Sequence, residues 1–129
     1  MHSDKKTKEY KHQDLTGKII SCAFEVQNSL GCGFLEKVYQ KALLYELQTK
    51  GLKVEIQKPI KIFYKDQNIG IYIADLIVEE KVIVELKTAE FLTKIHLAQT
   101  LNYLKASGYE VGLILNFARP RLEYKRVVI

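Results

Sequence analysis

The sequence predicts a single α/β domain, and three observations carry that prediction. Apolar residues recur at helical spacing in two stretches before residue 51 and in a third from about residue 92 to 107. Between them, over residues 54–87, the apolar period drops to two, the mark of strands with one buried face. Finally, the chain has 129 residues, of which 47% are hydrophobic and 27% charged. That length suits one domain with its own core, and that balance excludes disordered and collagen-like chains.

Taken in order, residues 1–14 read as a charged tail and 15–129 as the domain. Asp14 is placed to cap a helix starting at Leu15. Leu15, Ile19, Cys22, Val26 and Leu30 form its stripe, and Gly31-Cys32-Gly33 stops it. A second helix runs from about Leu35 to Lys50. Leu35, Tyr39, Ala42, Leu43 and Leu47 make its apolar face, with Gly51 at its C-terminal cap. Val54, Ile56, Ile60, Ile62 and Tyr64 then fall on even positions of a strand, and Pro59 marks that strand as an edge or a bulge. After the polar turn Asp66-Gln67-Asn68, strands follow at Ile69–Val78 and Lys81–Lys87. A helix spans about Leu92 to Ser107 and ends at Gly108. Tyr109 to Phe117 is apolar enough for a buried central strand. The order is ααβββαβ, and residues 123–129 are able to add a further short strand.

No apolar run approaches the roughly 18 residues of a membrane span, and the polar N-terminus lacks a signal peptide's apolar stretch. The expectation is a soluble, cytoplasmic protein with no membrane partner. Cys22 and Cys32 form no CxxC pair, and His2, His12 and His96 are scattered, so no zinc site is indicated. Both cysteines are expected to be buried free thiols.

The net charge is +5, but it is uneven. Residues 75–90 carry five acids and two bases, while the remainder carries 18 bases and 10 acids. A basic body surrounds an acidic segment.

That segment carries the chemistry. In Val82-Ile83-Val84-Glu85-Leu86-Lys87, Val82, Val84 and Leu86 share one face, and Ile83, Glu85 and Lys87 the other. If Glu79, Glu80 and Lys81 form a three-residue loop, Val78 pairs with Val82, and Asp75 lies opposite Glu85 on the same face. A two-residue loop would send Asp75 to the other face. Close carboxylates repel, and a divalent cation relieves that repulsion. Oxygen ligands favour Mg²⁺ or Mn²⁺, which would polarise a phosphoryl oxygen and acidify a bound water. Lys87 would orient that water or neutralise charge growing on the phosphate. Most such charge sets are solvated surface pairs. Here Ile73, Ile77 and Ile83 flank the charges on the same predicted face, and covered charges are costly unless paired or metal-bound.

Asp75 followed by Glu85-Leu86-Lys87, on a hairpin leading into a helix and a strand, resembles the PD-(D/E)XK nuclease superfamily. Gly33-Phe34-Leu35-Glu36-Lys37-Val38-Tyr39 is similar to the signature of the GxxExxY protein family within it. The likeness spans roughly residues 15 to 128. Supporting segments are Tyr39-Gln40-Lys41-Ala42-Leu43, Ala74-Asp75-Leu76-Ile77-Val78, Gln99-Thr100-Leu101-Asn102-Tyr103-Leu104 and Gly112-Leu113-Ile114-Leu115-Asn116-Phe117. The resemblance implies a restriction-endonuclease-like αβββαβ core with a mixed central sheet between helices. It implies that Asp75 and Glu85 bind metal and that Lys87 is the catalytic lysine. Glu36 matches a further acidic ligand or base, and Gln99 and Tyr103 match a Q-x-x-x-Y motif beside the active site. Ala74 departs from the pattern, standing where the motif's name has proline.

Gln99 and Tyr103 share a helix face with Leu92 and His96, apart from the Leu97, Leu101 and Leu104 stripe. By itself that spacing also fits a half-exposed helix edge, and His96 is expected to be a solvated or rim histidine. Glu36 alone also suits a first-turn acid. Arg119, Arg121, Lys125 and Arg126 offer phosphate contacts, as do Lys5, Lys6, Lys8 and Lys11 in the tail. The expected function is a metal-dependent nuclease acting on nucleic acid, DNA before RNA, with a homodimer supplying surface for substrate selection. The competing expectation is a nucleic-acid-binding or protein-interaction module without catalysis.

Overall fold

The computed structural model describes residues 11–129, so Lys5, Lys6 and Lys8 of the expected tail lie outside the described residues. The elements run α1 (Gln13–Leu30), α2 (Glu36–Thr49), β1 (Val54–Tyr64), β2 (Gln67–Val78), β3 (Val82–Lys87), α3 (Lys94–Ser107), β4 (Val111–Asn116) and β5 (Glu123–Val128). The five strands form one sheet in the order β1-β2-β3-β4-β5. Among the described residues β3 and β4 pair in parallel, and every other neighbouring pair is antiparallel. A parallel pair needs a crossover, and α3 is that crossover.

Helices cover both faces of the sheet. On one face, Ile19 and Val26 of α1 and Tyr39, Leu43 and Leu47 of α2 pack on Leu76, Val82, Val84 and Leu113. On the other, Leu104 of α3 packs with Ile77 and Ile83. Gly112 sets how closely α3 approaches: a Cβ there would lie 3.0 Å from the Thr100 methyl. β4 is buried along its whole length, as its apolar run predicts. β1 is the edge strand that Pro59 marks.

Several local expectations are corrected. Asp14 does not cap α1, because the helix begins earlier: Thr16 N–H bonds the His12 carbonyl, and Asp14 sits inside the first turn, where an acid suits the helix dipole. Lys11, within the expected tail, pairs with Glu110 at 2.8 Å. Cys22 is buried but Cys32 is exposed, because it stands between two glycines of positive φ, off either helix stripe. Leu35 is exposed, because it is the residue before the first turn of α2 rather than part of its stripe. α3 starts at Lys94, not Leu92, because Thr93 caps it. His96 completes that cap, its Nδ1 accepting from Thr93 N–H at 3.0 Å.

The largest departure concerns β1 and β2. Even-numbered residues do not line one face throughout. Val54, Leu76 and Val78 lie on the α1/α2 side, whereas Ile60, Ile62, Tyr72 and Ala74 lie on the α3 side. Both strands change face together between the Ile56–Leu76 and Lys58–Ala74 pairs. Gln57, with φ of 51°, stands at that point in β1, and Asp75 in β2. A residue in the left-handed region turns the strand about its axis. In consequence Ile73, which was expected to flank the buried charges, is exposed; Ile56 and Tyr64, on the edge strand β1, are exposed as well.

Candidate active site

The β2–β3 hairpin settles the register. Val78 pairs with Val82, Ile77 with Ile83 and Leu76 with Val84, so Glu79, Glu80 and Lys81 are the three-residue loop that brings Asp75 to Glu85. Glu79 and Glu80 both take left-handed conformations (φ 55° and 56°) to close it. Beyond Leu76 the ladder gives way to carboxylates. The Leu86 N–H donates to Asp75 Oδ2 at 2.9 Å, and the Asp75 N–H donates to Glu85 Oε2 at 3.4 Å. Side chains thus take over from backbone carbonyls where β2 leaves β3.

Glu85 is 7% exposed. Burial pushes its carboxyl up to about 7; neighbouring Asp75 adds to the rise, while Lys87 and the Tyr72 hydroxyl oppose it. Burial also raises Asp75, and the facing Glu36 carboxylate pushes the same way; the Leu86 N–H, Lys87 and the Gln57 amide oppose it. Two covered carboxylates under mutual repulsion suit a cation.

Glu36 opens α2, and Thr88 Oγ1, just past Lys87, donates to it at 3.4 Å. One turn further along α2, Gln40 Nε2 donates to the Asp75 carbonyl at 2.9 Å, tying that helix to the hairpin. Glu36, Lys37, Gln40, Gln57, Asp75 and Leu86 line a cleft of about 160 Å³. A wider depression of about 520 Å³ lies elsewhere, along His12, Asp14, Lys18, Glu79 and Lys81, away from these carboxylates. Among the described residues no three His, Cys, Asp or Glu side chains are gathered closely enough to hold a metal. The carboxylate oxygens that would suit a hard cation are those of Asp75 and Glu85, with Glu36 facing Asp75 at the edge.

Sequence reasoning missed Tyr72, Gln57 and Gln40. Tyr72 donates its hydroxyl to Glu85 Oε2 and stacks on Tyr103 with ring centroids 3.6 Å apart. Tyr103 thereby reaches the site through Tyr72, whereas Gln99 is exposed on α3. Gln40 was detectable, since it is i+4 from Glu36 on one helix face.

The basic residues do not form one patch. Arg119 and Arg121 are exposed on the β4–β5 loop. Arg119 lies over the Phe91 ring at 4.6 Å, just past the end of β3 that carries Lys87. That loop after β3 is pinned by buried Asn116, whose side chain bonds both the N–H and the carbonyl of Ala89. Lys125 is exposed in β5, opposite Ile114. Arg126 turns to the other end and donates to the Lys11 carbonyl.

A mixed five-stranded sheet between helices, with an acidic pair and a lysine on its central hairpin, defines a restriction-endonuclease-like α/β protein. The chain belongs to the PD-(D/E)XK nuclease superfamily, whose family model matches residues 13–127. It is also similar to the solved structure of SSO0001, at 20% identity and a TM-score of 0.53, over 93% of this chain and 60% of that one. That likeness bears on the fold alone, and this chain spans about 60% of the length of SSO0001. No curated protein matches the chain. Among the described residues no helix is long and apolar enough to cross a membrane.

Proposed function

We propose that this protein is a metal-dependent nuclease that hydrolyses phosphodiester bonds in nucleic acid, DNA in preference to RNA. The observation that carries the proposal is buried Glu85 joined to half-buried Asp75 through the Asp75 N–H, across a hairpin whose second strand ends in Lys87. Asp75 and Glu85 would hold Mg²⁺ or Mn²⁺, with Glu36 as a further ligand or base. When bound, such an ion supplies Lewis acidity at the phosphate. Lys87 orients the attacking water and offsets charge growing on the phosphoryl oxygens. Arg119 and Arg121 contact substrate phosphates near that end of the sheet, Lys125 and Arg126 farther along β5. Tyr103 and Gln99 support the site from α3. The segment Gly33–Tyr39 favours placement in the GxxExxY branch, and the intended compartment is the cytoplasm.

The test is cleavage of mixed DNA and RNA substrates with Mg²⁺ or Mn²⁺ by wild type, Asp75→Ala and Lys87→Ala. Cleavage lost in both variants supports the proposal; cleavage unchanged in both removes it.

A second reading is a binding module without catalysis. One observation favours it: Ile56, Phe63, Ile69, Ile71 and Ile73 of the β1–β2 ribbon are exposed. Exposed apolar surface of this kind suits a protein partner, and a second copy of the chain would also add surface for substrate selection. Mn²⁺ titration calorimetry separates the readings, because an inert module has no reason to bind Mn²⁺ at Asp75 and Glu85.

A further inference from the structure

Glu85 could present either carboxylate oxygen to a cation, and rotation about its last side-chain bond would exchange them. Its hydrogen bonds from Tyr72 and Asp75 both fall on one oxygen. Glu85 Oε2 accepts from the Tyr72 hydroxyl and from the Asp75 N–H. That leaves Oε1 as the oxygen for a ligand role. Tyr72 is itself fixed. It is 6% exposed, and its ring lies flat on Tyr103, with an interplanar angle of 10°. Tyr103 comes from α3, the crossover helix, so the clamp spans strand and helix.

We infer that Tyr72, braced by Tyr103, is a positioning residue that clamps Glu85 Oε2 and so aims Oε1 at the metal position. Its role is to orient a ligand, not to touch substrate. Partners of ligating carboxylates commonly set metal affinity by 10–100-fold when removed. The inference rests on the metal reading above and needs a test that separates the two.

The experiment is Mn²⁺ titration calorimetry on the full chain, with thermal melts alongside. Tyr72→Phe keeps the ring and its stack and loses only the hydroxyl. It is expected to bind Mn²⁺ about 10–100-fold more weakly than wild type. Tyr103→Phe, which keeps the bracing ring, is expected to retain wild-type affinity, and Tyr103→Leu to lose part of it. If Tyr72→Phe fails to fold, the Tyr103→Phe and Tyr103→Leu pair decides the matter. Wild-type affinity in Tyr72→Phe, or equal affinity in the two Tyr103 variants, would overturn the clamp provided Glu85→Gln has lost binding. If Glu85→Gln binds as wild type does, the metal reading itself fails, and the clamp with it.

Discussion

The β2–β3 hairpin and the β1–β2 ribbon use the same strand for opposite ends. From Leu76 to Val78, β2 is buried on both faces and pairs with Val82–Val84 by an ordinary ladder. From Gln67 to Ala74 its partner is β1 alone, and Ile69, Ile71 and Ile73 are exposed. Asp75 is the boundary. There the strand changes face, and the two carboxylates accept from N–H groups of β2 and β3 where the ladder between those strands ends. The comparison shows how an apolar sheet can hold two acids: they accept the hydrogen bonds that the ended ladder no longer makes. A buried N–H is rarely left unbonded, and Leu86 N–H is bonded to Asp75.

The largest effect expected is chemical. Removing Asp75, Glu85 or Lys87 from the hairpin side should lower cleavage at least about 100-fold, the scale of losing one stabilising group at a reacting centre. A ribbon substitution such as Ile71→Ser should leave it within a few-fold. Steady-state assays of both sets either sharpen the boundary at Asp75 or erase it.

Next comes stability. Ile83→Ala, fully buried in the paired half, should cost about 2–5 kcal/mol in denaturant unfolding. Ile71→Ala on the ribbon should stay within about 0.5 kcal/mol. Equal losses would mean that the ribbon face is covered in solution.

A smaller effect is pH dependence without metal. Glu85 moves from an ordinary 4.5 to about 7 in the fold, chiefly by burial. The folded state therefore favours the protonated acid. Its contribution to stability is complete below about pH 4.5 and lost as pH rises through about 7. Thermal melts in chelator should show a decline on the order of 1–3 kcal/mol across that window. Glu85→Gln should flatten it. A wild-type profile that is flat or rises would contradict the buried-acid account.

The smallest effect concerns the basic residues. Arg119→Ala should weaken nucleic-acid binding across all sequences and reduce the salt slope by about one. Lys125→Ala, farther along β5, should change it less. Binding isotherms at several salt concentrations give both slopes.

Much of this arrangement was legible in the chain. The odd-length Glu79-Glu80-Lys81 loop brought Asp75 to Glu85, and Gly31 and Gly108 ended helices where their spacing placed them, while α2 is capped by Lys50, one residue before Gly51. The face change was not legible, because Gln57 takes a left-handed conformation with no glycine to signal it. That one residue hid Tyr72. In an unbroken strand, Tyr72 and Asp75 are an odd number of positions apart and point to opposite faces. Only the switch brings the Tyr72 hydroxyl to Glu85. Leu35 was misjudged because the stripe of α2 was extended to the residue before its first turn, and Cys32 because a free cysteine is usually a buried one.

The central claim is that Asp75 and Glu85 jointly hold a divalent cation at the point where β2 leaves β3. A crystal structure of the protein soaked in Mn²⁺, with anomalous scattering to locate the metal, tests it most directly. The account predicts an anomalous peak bound by both carboxylates, with Glu85 Oε2 still on Tyr72. No peak between them, with Asp75 and Glu85 keeping only their protein hydrogen bonds at saturating Mn²⁺, would contradict it.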